Sequence, residues 1–208
     1  MKKILLMAGV AAFAFASNAN ALEVNPYVSA KLSYDWAKND VVTTGARSGK
    51  MKFHKEIWGG HYAAGVKAKA IRTEIEFNQY QDTKKKMRDT RFRLQNQSLM
   101  LNAYYDINTC TRWTPYIGAG MGVSMLKFTA KDMRSGLKMS EKSYNFAWQL
   151  GAGVTYDLTQ NIALDAGYRY IDSGAAVARK QIETGQPAAK EKFDTAAHEI
   201  YFGARYTF

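Results

Sequence analysis

The sequence predicts an all-β chain folded as an eight-stranded antiparallel transmembrane β-barrel. Three observations predict it: apolar–polar alternation in eight segments, connections that alternate short and long, and an export signal at the amino terminus. The alternation is clearest in the last strand. Ile200, Phe202, Ala204, Tyr206 and Phe208 interleave with Glu199, Tyr201, Gly203, Arg205 and Thr207. Successive strand side chains point to opposite faces, so one face is apolar and the other carries charge.

At the other end, Lys2 and Lys3 precede an apolar run over 4–16, and Ala19-Asn20-Ala21 supplies a small-residue cleavage site. Residues 1–21 therefore read as a signal peptide and 22–208 as one domain. The run is too short for a spanning helix, and no later stretch reaches the roughly 18 apolar residues that one needs.

Strands are expected at 24–36, 60–68, 70–80, 93–107, 114–128, 144–158, 162–171 and 196–208. The first would point Val28, Ala30, Leu32, Tyr34 and Trp36 outward, and the third Ile71, Thr73, Ile75 and Phe77. The fourth offers Leu99, Leu101, Ala103 and Tyr105; the fifth Ile117, Ala119, Met121, Val123 and Met125. The sixth carries Phe146, Trp148, Leu150, Ala152, Val154 and Tyr156, and the seventh Ile162, Leu164, Ala166, Tyr168 and Tyr170. Aromatic residues recur near the strand ends, as in rings placed at membrane–water interfaces. A soluble eight-stranded barrel would turn this apolar set inward, leaving the charges outside; the bulk of the Trp, Tyr and Leu set argues for lipid.

Short turns are expected near 67–69, 108–113 and 159–161, and long polar loops at 37–59, 81–92, 129–143 and 172–195. In outer-membrane barrels the short turns are periplasmic and the longer loops extracellular. Both termini are then expected on the periplasmic side, and the loops are expected to be mobile.

The inward set includes Lys31, Asp35, Lys67, Arg72, Glu74, Glu76, Asp165, Arg169, Glu199 and Arg205, interleaved with Gly65, Gly118, Gly120, Gly122, Gly151, Gly153 and Gly167. Eight strands enclose only enough room for side chains, which favours a paired charge network over a conduit. Arg72, Arg169 and Arg205 are expected to pair with Glu74, Glu76, Asp165 or Glu199 across neighbouring strands.

Removing Lys2 and Lys3 lowers the formal charge from +11 to +9, and +8 of it falls in the expected loops. The first loop sets Lys38, Arg47, Lys50, Lys52 and Lys55 against Asp40 and Glu56; the second sets Lys84, Lys85, Lys86, Arg88 and Arg91 against Asp82 and Asp89. Such a field attracts polyanions and weakens with salt. The candidate ligand residues are Lys50, Lys52, Lys55, Lys84, Lys85, Lys86, Arg88 and Arg91. Outer-membrane lipid, lipopolysaccharide and host-cell glycans or receptors are the partners to consider. Nucleic acid is not expected, because the chain is exported and no aromatics interleave with the basic run.

No enzyme, cofactor or metal site is expected. His54 lies in the first loop and His61 just after it, and His198 lies near the top of the last strand, none spaced for a nucleophilic triad or a metal. The single cysteine, Cys110, permits no internal disulfide and reads as a free turn thiol.

Leu164-Asp165-Ala166-Gly167-Tyr168-Arg169-Tyr170, then Phe193-Asp194-Thr195-Ala196-Ala197-His198-Glu199 leading into Gly203-Ala204-Arg205-Tyr206-Thr207-Phe208, resemble the end of the neisserial opacity (Opa) proteins. The stretches 105–109 and 115–119 are similar to their fourth and fifth strands, so the likeness runs from about residue 99 onward. The resemblance implies an eight-stranded outer-membrane protein, grouped with porins, whose variable loops bind host receptors or heparan sulfate. The barrel is expected to be a monomer. The leading expectation is therefore adhesion through basic loops. The alternatives are a small diffusion pore or a structural envelope protein that binds lipopolysaccharide.

Overall fold

A computed structural model of the protein describes residues 24–44, 49–87, 90–132, 138–179 and 190–208. The expected signal peptide lies outside the described residues. The strands are β1 (Val24–Thr44), β2 (Gly49–Ala68), β3 (Ile71–Tyr80), β4 (Thr83–Met87), β5 (Thr90–Asp106), β6 (Trp113–Asp132), β7 (Lys138–Asp157), β8 (Ile162–Arg179) and β9 (Lys190–Thr207). β3 and β4 both run antiparallel to β5, so they form one stave interrupted at Gln81 and Asp82. The staves follow the order β3-β2-β1-β9-β8-β7-β6-β5, and the β3–β5 pairing closes the ring. This is the closed eight-stave antiparallel barrel that the alternation predicts. Closure removes the sheet edge, leaving no unsatisfied row of backbone groups for lipid to face.

The burial pattern is inverted relative to a water-soluble protein. Leu32 is 68% exposed and Phe202 59%, while Glu76 and Glu199 are fully buried. An apolar face this extensive is stable only where the surroundings are apolar too. On β7 the outward aromatics Tyr144 and Tyr156 stand twelve residues apart. That separation spans roughly 30 Å along the axis of a tilted strand, enough to bracket an apolar band of about 25 Å.

The short turns close tightly. Lys69 and Cys110 take left-handed conformations. In the second turn Cys110 N donates to Asn108 Oδ1 (2.9 Å), and in the third Ile162 N donates to Thr159 Oγ1 (2.9 Å). These side-chain acceptors replace the ladder where the chain reverses. Cys110 is exposed and free.

At the opposite end the structure differs from the expected loop boundaries. Much of 37–59, 81–92, 129–143 and 172–195 is strand: the ladders continue to Thr43↔Gly49, Thr90↔Asp132, Lys131↔Lys138 and Arg179↔Lys190. Backbone pairing propagates past the apolar band because each added pair satisfies its own N–H and C=O groups. Side-chain alternation marks only the part of a strand with two different surroundings, so the polar continuations carry no such signal. The β7–β8 ladder ends at Trp148↔Asp172, where β8 bulges. Gly174 sits in that bulge at φ +79, and its N–H donates to Asp172 Oδ1 (2.8 Å).

Candidate functional site

Two regions concentrate chemistry: the lumen and the end that bears the long hairpins. In the lumen, β1, β3, β8 and β9 deliver five charged side chains to one chain of contacts. Lys31 Nζ donates to Glu74 Oε1 (2.9 Å) and to Glu76 Oε2 (2.7 Å). Arg169 Nη1 donates to Glu76 Oε1 (2.5 Å), and its Nε lies 2.6 Å from Glu199 Oε1. β3 and β8 are four staves apart in a ring of eight, so the Arg169–Glu76 pair joins diametrically opposite walls. The lumen is bridged at that height.

Polar neighbours satisfy most of the remaining capacity of these groups. Glu74 also accepts from the hydroxyls of Tyr27 (2.9 Å) and Tyr104 (2.8 Å), and from Asn102 Nδ2 (3.2 Å). Glu199 accepts from the Tyr80 hydroxyl (3.4 Å) and faces His61 Nε2 at 3.3 Å. His61 Nδ1 is 2.6 Å from Asn78 Oδ1, and Asn78 in turn donates to Ser98 Oγ (3.0 Å). Buried ions paired and hydrogen-bonded in this way offset their desolvation, whereas a lone buried ion would not.

Nearer the short turns a second set forms. Arg72 Nε donates to Asp106 Oδ1 (2.8 Å), and Lys67 Nζ stands 3.0 Å from Asp106 Oδ2. Arg205 lies 3.7 Å from Asp165, which accepts from Thr155 Oγ1 (2.6 Å). The Arg72 guanidinium packs over the rings of Tyr104 (4.9 Å) and Tyr116 (4.6 Å), a cation–π arrangement. Four lumen tyrosines stand opposite glycines in the ladders: Tyr27↔Gly65, Tyr104↔Gly118, Tyr116↔Gly153 and Tyr201↔Gly167. Any side chain at those glycines would run into the facing ring. The glycines thus make room for rings that lie across them, and Tyr116 and Tyr201 join hydroxyls at 2.9 Å.

The structure places Lys31, Arg72, Glu74, Glu76, Asp165, Arg169, Glu199 and Arg205 inside, all buried. It brings Arg169 to Glu199 and Arg205 to Asp165 across the neighbouring strands β8 and β9, but Arg169 also reaches Glu76 on the opposite wall, a pairing that neighbouring strands do not foresee. Arg72 takes Asp106 instead of one of the four carboxylates expected for it, because strand stagger sets Asp106 at its height. Sequence reasoning also missed Tyr27, Tyr104, Tyr116, Tyr201 and His61 as lumen groups. Their odd or even parity with a neighbouring inward charge was the available signal, as with Tyr27 and Lys31. His61 is buried within β2 and is not at the margin of a loop. His198 lies on the outer wall, stacked on Tyr168 and hydrogen-bonded to its hydroxyl.

Of the basic candidates, Lys50, Lys52 and Lys55 have their backbones in β2, Lys84, Lys85 and Lys86 in β4 and Arg91 in β5. Their side chains, all of Arg88, and the side chain of His54 lie outside the described residues. The ladders set Lys84 opposite Arg93 and Lys86 opposite Arg91. Arg93 itself is paired with Asp82.

A closed barrel with an ionic lumen and a lipid-compatible wall agrees with the comparison of this chain with known families: residues 4–208 match the outer membrane protein beta-barrel domain. The chain belongs to that family. This outer-membrane barrel is 35% identical to the outer membrane protein PagN of Salmonella typhimurium over 115 residues, 52% of the chain and 48% of PagN. It thus spans about half the length of that curated relative. Among solved structures, neisserial surface protein A covers 89% of the barrel chain and is itself covered to 99%, with a TM-score of 0.60 at 21% identity. Ail of Yersinia pestis, solved in complex with the heparin analogue sucrose octasulfate, covers 88% and is covered to 99%, with a TM-score of 0.54 at 17% identity. These two likenesses are of fold. The family shown is broader than the opacity proteins that residues 164–170 and 193–208 resemble.

Proposed function

We propose that this is a non-enzymatic adhesion protein of the outer membrane, with its termini in the periplasm, whose long basic hairpins recognise anionic glycans on a host surface. The observation that carries the reading is the partition of charge. The lumen ions are consumed by one another, while +8 of the formal charge belongs to the sequence stretches 37–59, 81–92, 129–143 and 172–195. Lys84, Lys85, Lys86, Arg88 and Arg91 are the leading contacts, with Lys50, Lys52 and Lys55 in support. Each surface ion pair is weak, and many together give a salt-sensitive attachment. The heparin analogue held by Ail, a barrel of the same fold, supports a sulfated sugar as the ligand class. The opacity-type motifs support adhesion. The non-enzymatic reading is supported by the histidine partners: Asn78, Arg169 and Glu199 around His61, and Tyr168 at His198.

The test is retention of intact cells displaying the protein on heparin, from about 0.05 to about 0.5 M salt, beside a variant with Lys84, Lys85, Lys86, Arg88 and Arg91 changed to Gln. Retention that falls with salt and is lost in the variant is expected. Equal retention by both overturns the role of this hairpin. No retention by either favours the second reading, an envelope protein whose cations meet lipopolysaccharide phosphates. A diffusion pore is opposed by the Arg169–Glu76 bridge across the lumen.

A further inference from the structure

Gly60 differs from ten other glycines of the barrel strands. At each of those ten, from Gly59 and Gly65 on β2 to Gly203 on β9, an added Cβ would meet another atom at 2.7 Å or closer; at Gly60 it would meet nothing within 4 Å. Its backbone is not left-handed either, since Gly174 is the positive-φ glycine among the described residues. Neither crowding nor conformation therefore calls for glycine at this position. The missing side chain leaves a gap in the lipid-facing wall.

The ladder shows what surrounds that gap. Trp58 and Tyr62 flank Gly60 along β2, Leu32 stands opposite on β1 and Gln79 opposite on β3. Leu32, Trp58 and Tyr62 are 68%, 60% and 62% exposed. Gln79 is also exposed, and Gln81 N donates to the Trp58 carbonyl (2.9 Å) at the end nearer the long hairpins. Together they outline an open cleft of about 420 Å³, within the roughly 300–1,000 Å³ usual for a ligand site. Three large apolar groups around a bare floor suit a hydrocarbon chain, and the glutamine amides suit the polar end of the same molecule.

We propose that this cleft holds one acyl chain of lipid A, the phosphorylated anchor of lipopolysaccharide. Hydrocarbon lies over Gly60, and the amides of Gln79 and Gln81 meet the sugar level. The choice of lipid A over a phospholipid rests on the outward placement of the long hairpins in the reading above.

The test is native mass spectrometry of the barrel extracted from lipopolysaccharide-containing outer membranes in mild detergent. Wild type is compared with Gly60→Leu, which fills the cleft, and with Ala152→Leu, on the outward face of β7. A heat-modified gel shift confirms that each variant is folded. Wild type and Ala152→Leu are expected to keep a bound lipid A, and Gly60→Leu to lose at least about tenfold in occupancy. Folded Gly60→Leu that retains lipid A like wild type overturns the proposal, as does a retained lipid that proves to be phospholipid. Protease treatment of intact cells reads the orientation separately. Uncut hairpins with phospholipid in the cleft overturn both readings, whereas cut hairpins with unchanged retention overturn this one alone.

Discussion

Arg169 is the side chain on which the lumen network turns. It reaches across from β8 to Glu76 on β3 and stays close to Glu199 on the neighbouring strand. Removing one member of a buried ionic cluster costs more than removing the whole, because the partners left behind keep their desolvation penalty. Arg169→Ala is therefore expected to destabilise the folded barrel by roughly 3–5 kcal/mol. Adding Glu199→Gln to that variant is expected to recover part of the loss, since the orphaned charge goes with it. Urea unfolding of the barrel in lipid vesicles measures both; an Arg169→Ala midpoint equal to wild type would sink the argument. The residues themselves were legible in the sequence, since Lys31, Glu74, Glu76, Arg169 and Glu199 all fall on the polar side of an alternating segment. Their partners were less so. Tyrosine suits a membrane interface as well as a packed lumen, so Tyr27, Tyr104, Tyr116 and Tyr201 could be placed only by counting from a charged neighbour. Which carboxylate Arg72 reaches depends on the stagger between strands, and no single strand encodes it.

At the level of elements, the informative departure is the bulge in β8. Above Trp148↔Asp172 the register of β8 against β9 shifts between Asp172 and Ala175, and Gly174 takes the left-handed conformation that allows it. A β-branched residue there has to adopt a backbone that costs about 1–2 kcal/mol, and its Cβ would also meet the Phe146 carbonyl at 2.7 Å. Gly174→Val is expected to lower stability by at least that amount and Gly174→Asn by less, because asparagine tolerates left-handed backbone. Thermal unfolding followed by gel mobility ranks the three proteins, and a valine variant as stable as wild type contradicts the account. The eight strands were readable from side-chain period because lipid on one side and ions on the other impose it. The extensions β4 and the ends of β1, β2 and β5–β9 were not, since both faces there lie beyond the apolar band. A glycine signals a bulge in a strand only weakly, so the break in β8 was also hidden.

For the whole molecule, the bridged lumen predicts electrical silence. Purified barrel in a planar bilayer is expected to give no discrete conductance steps, because the Lys31–Glu76–Arg169 contacts occupy the space an ion would need. Reproducible steps from the wild-type protein would show that the network opens and would restore the pore as a function.

The pairing of β1 with β9, from Tyr27↔Thr207 to Thr44↔Lys190, also bears on how the barrel is made. The ring closes through its two most distant strands, a contact of very high sequence separation and so a late and slow one to form. Before that moment Glu76 on β3 and Arg169 on β8 have no lumen to meet across, and the margins β1 and β9 have unpaired backbone. Edge pairing and charge neutralisation are then completed by one event. An assembly intermediate lacking it would be as unfit for hydrocarbon on its inner face as on its rims, which makes entry into the bilayer and ring closure a single cooperative step.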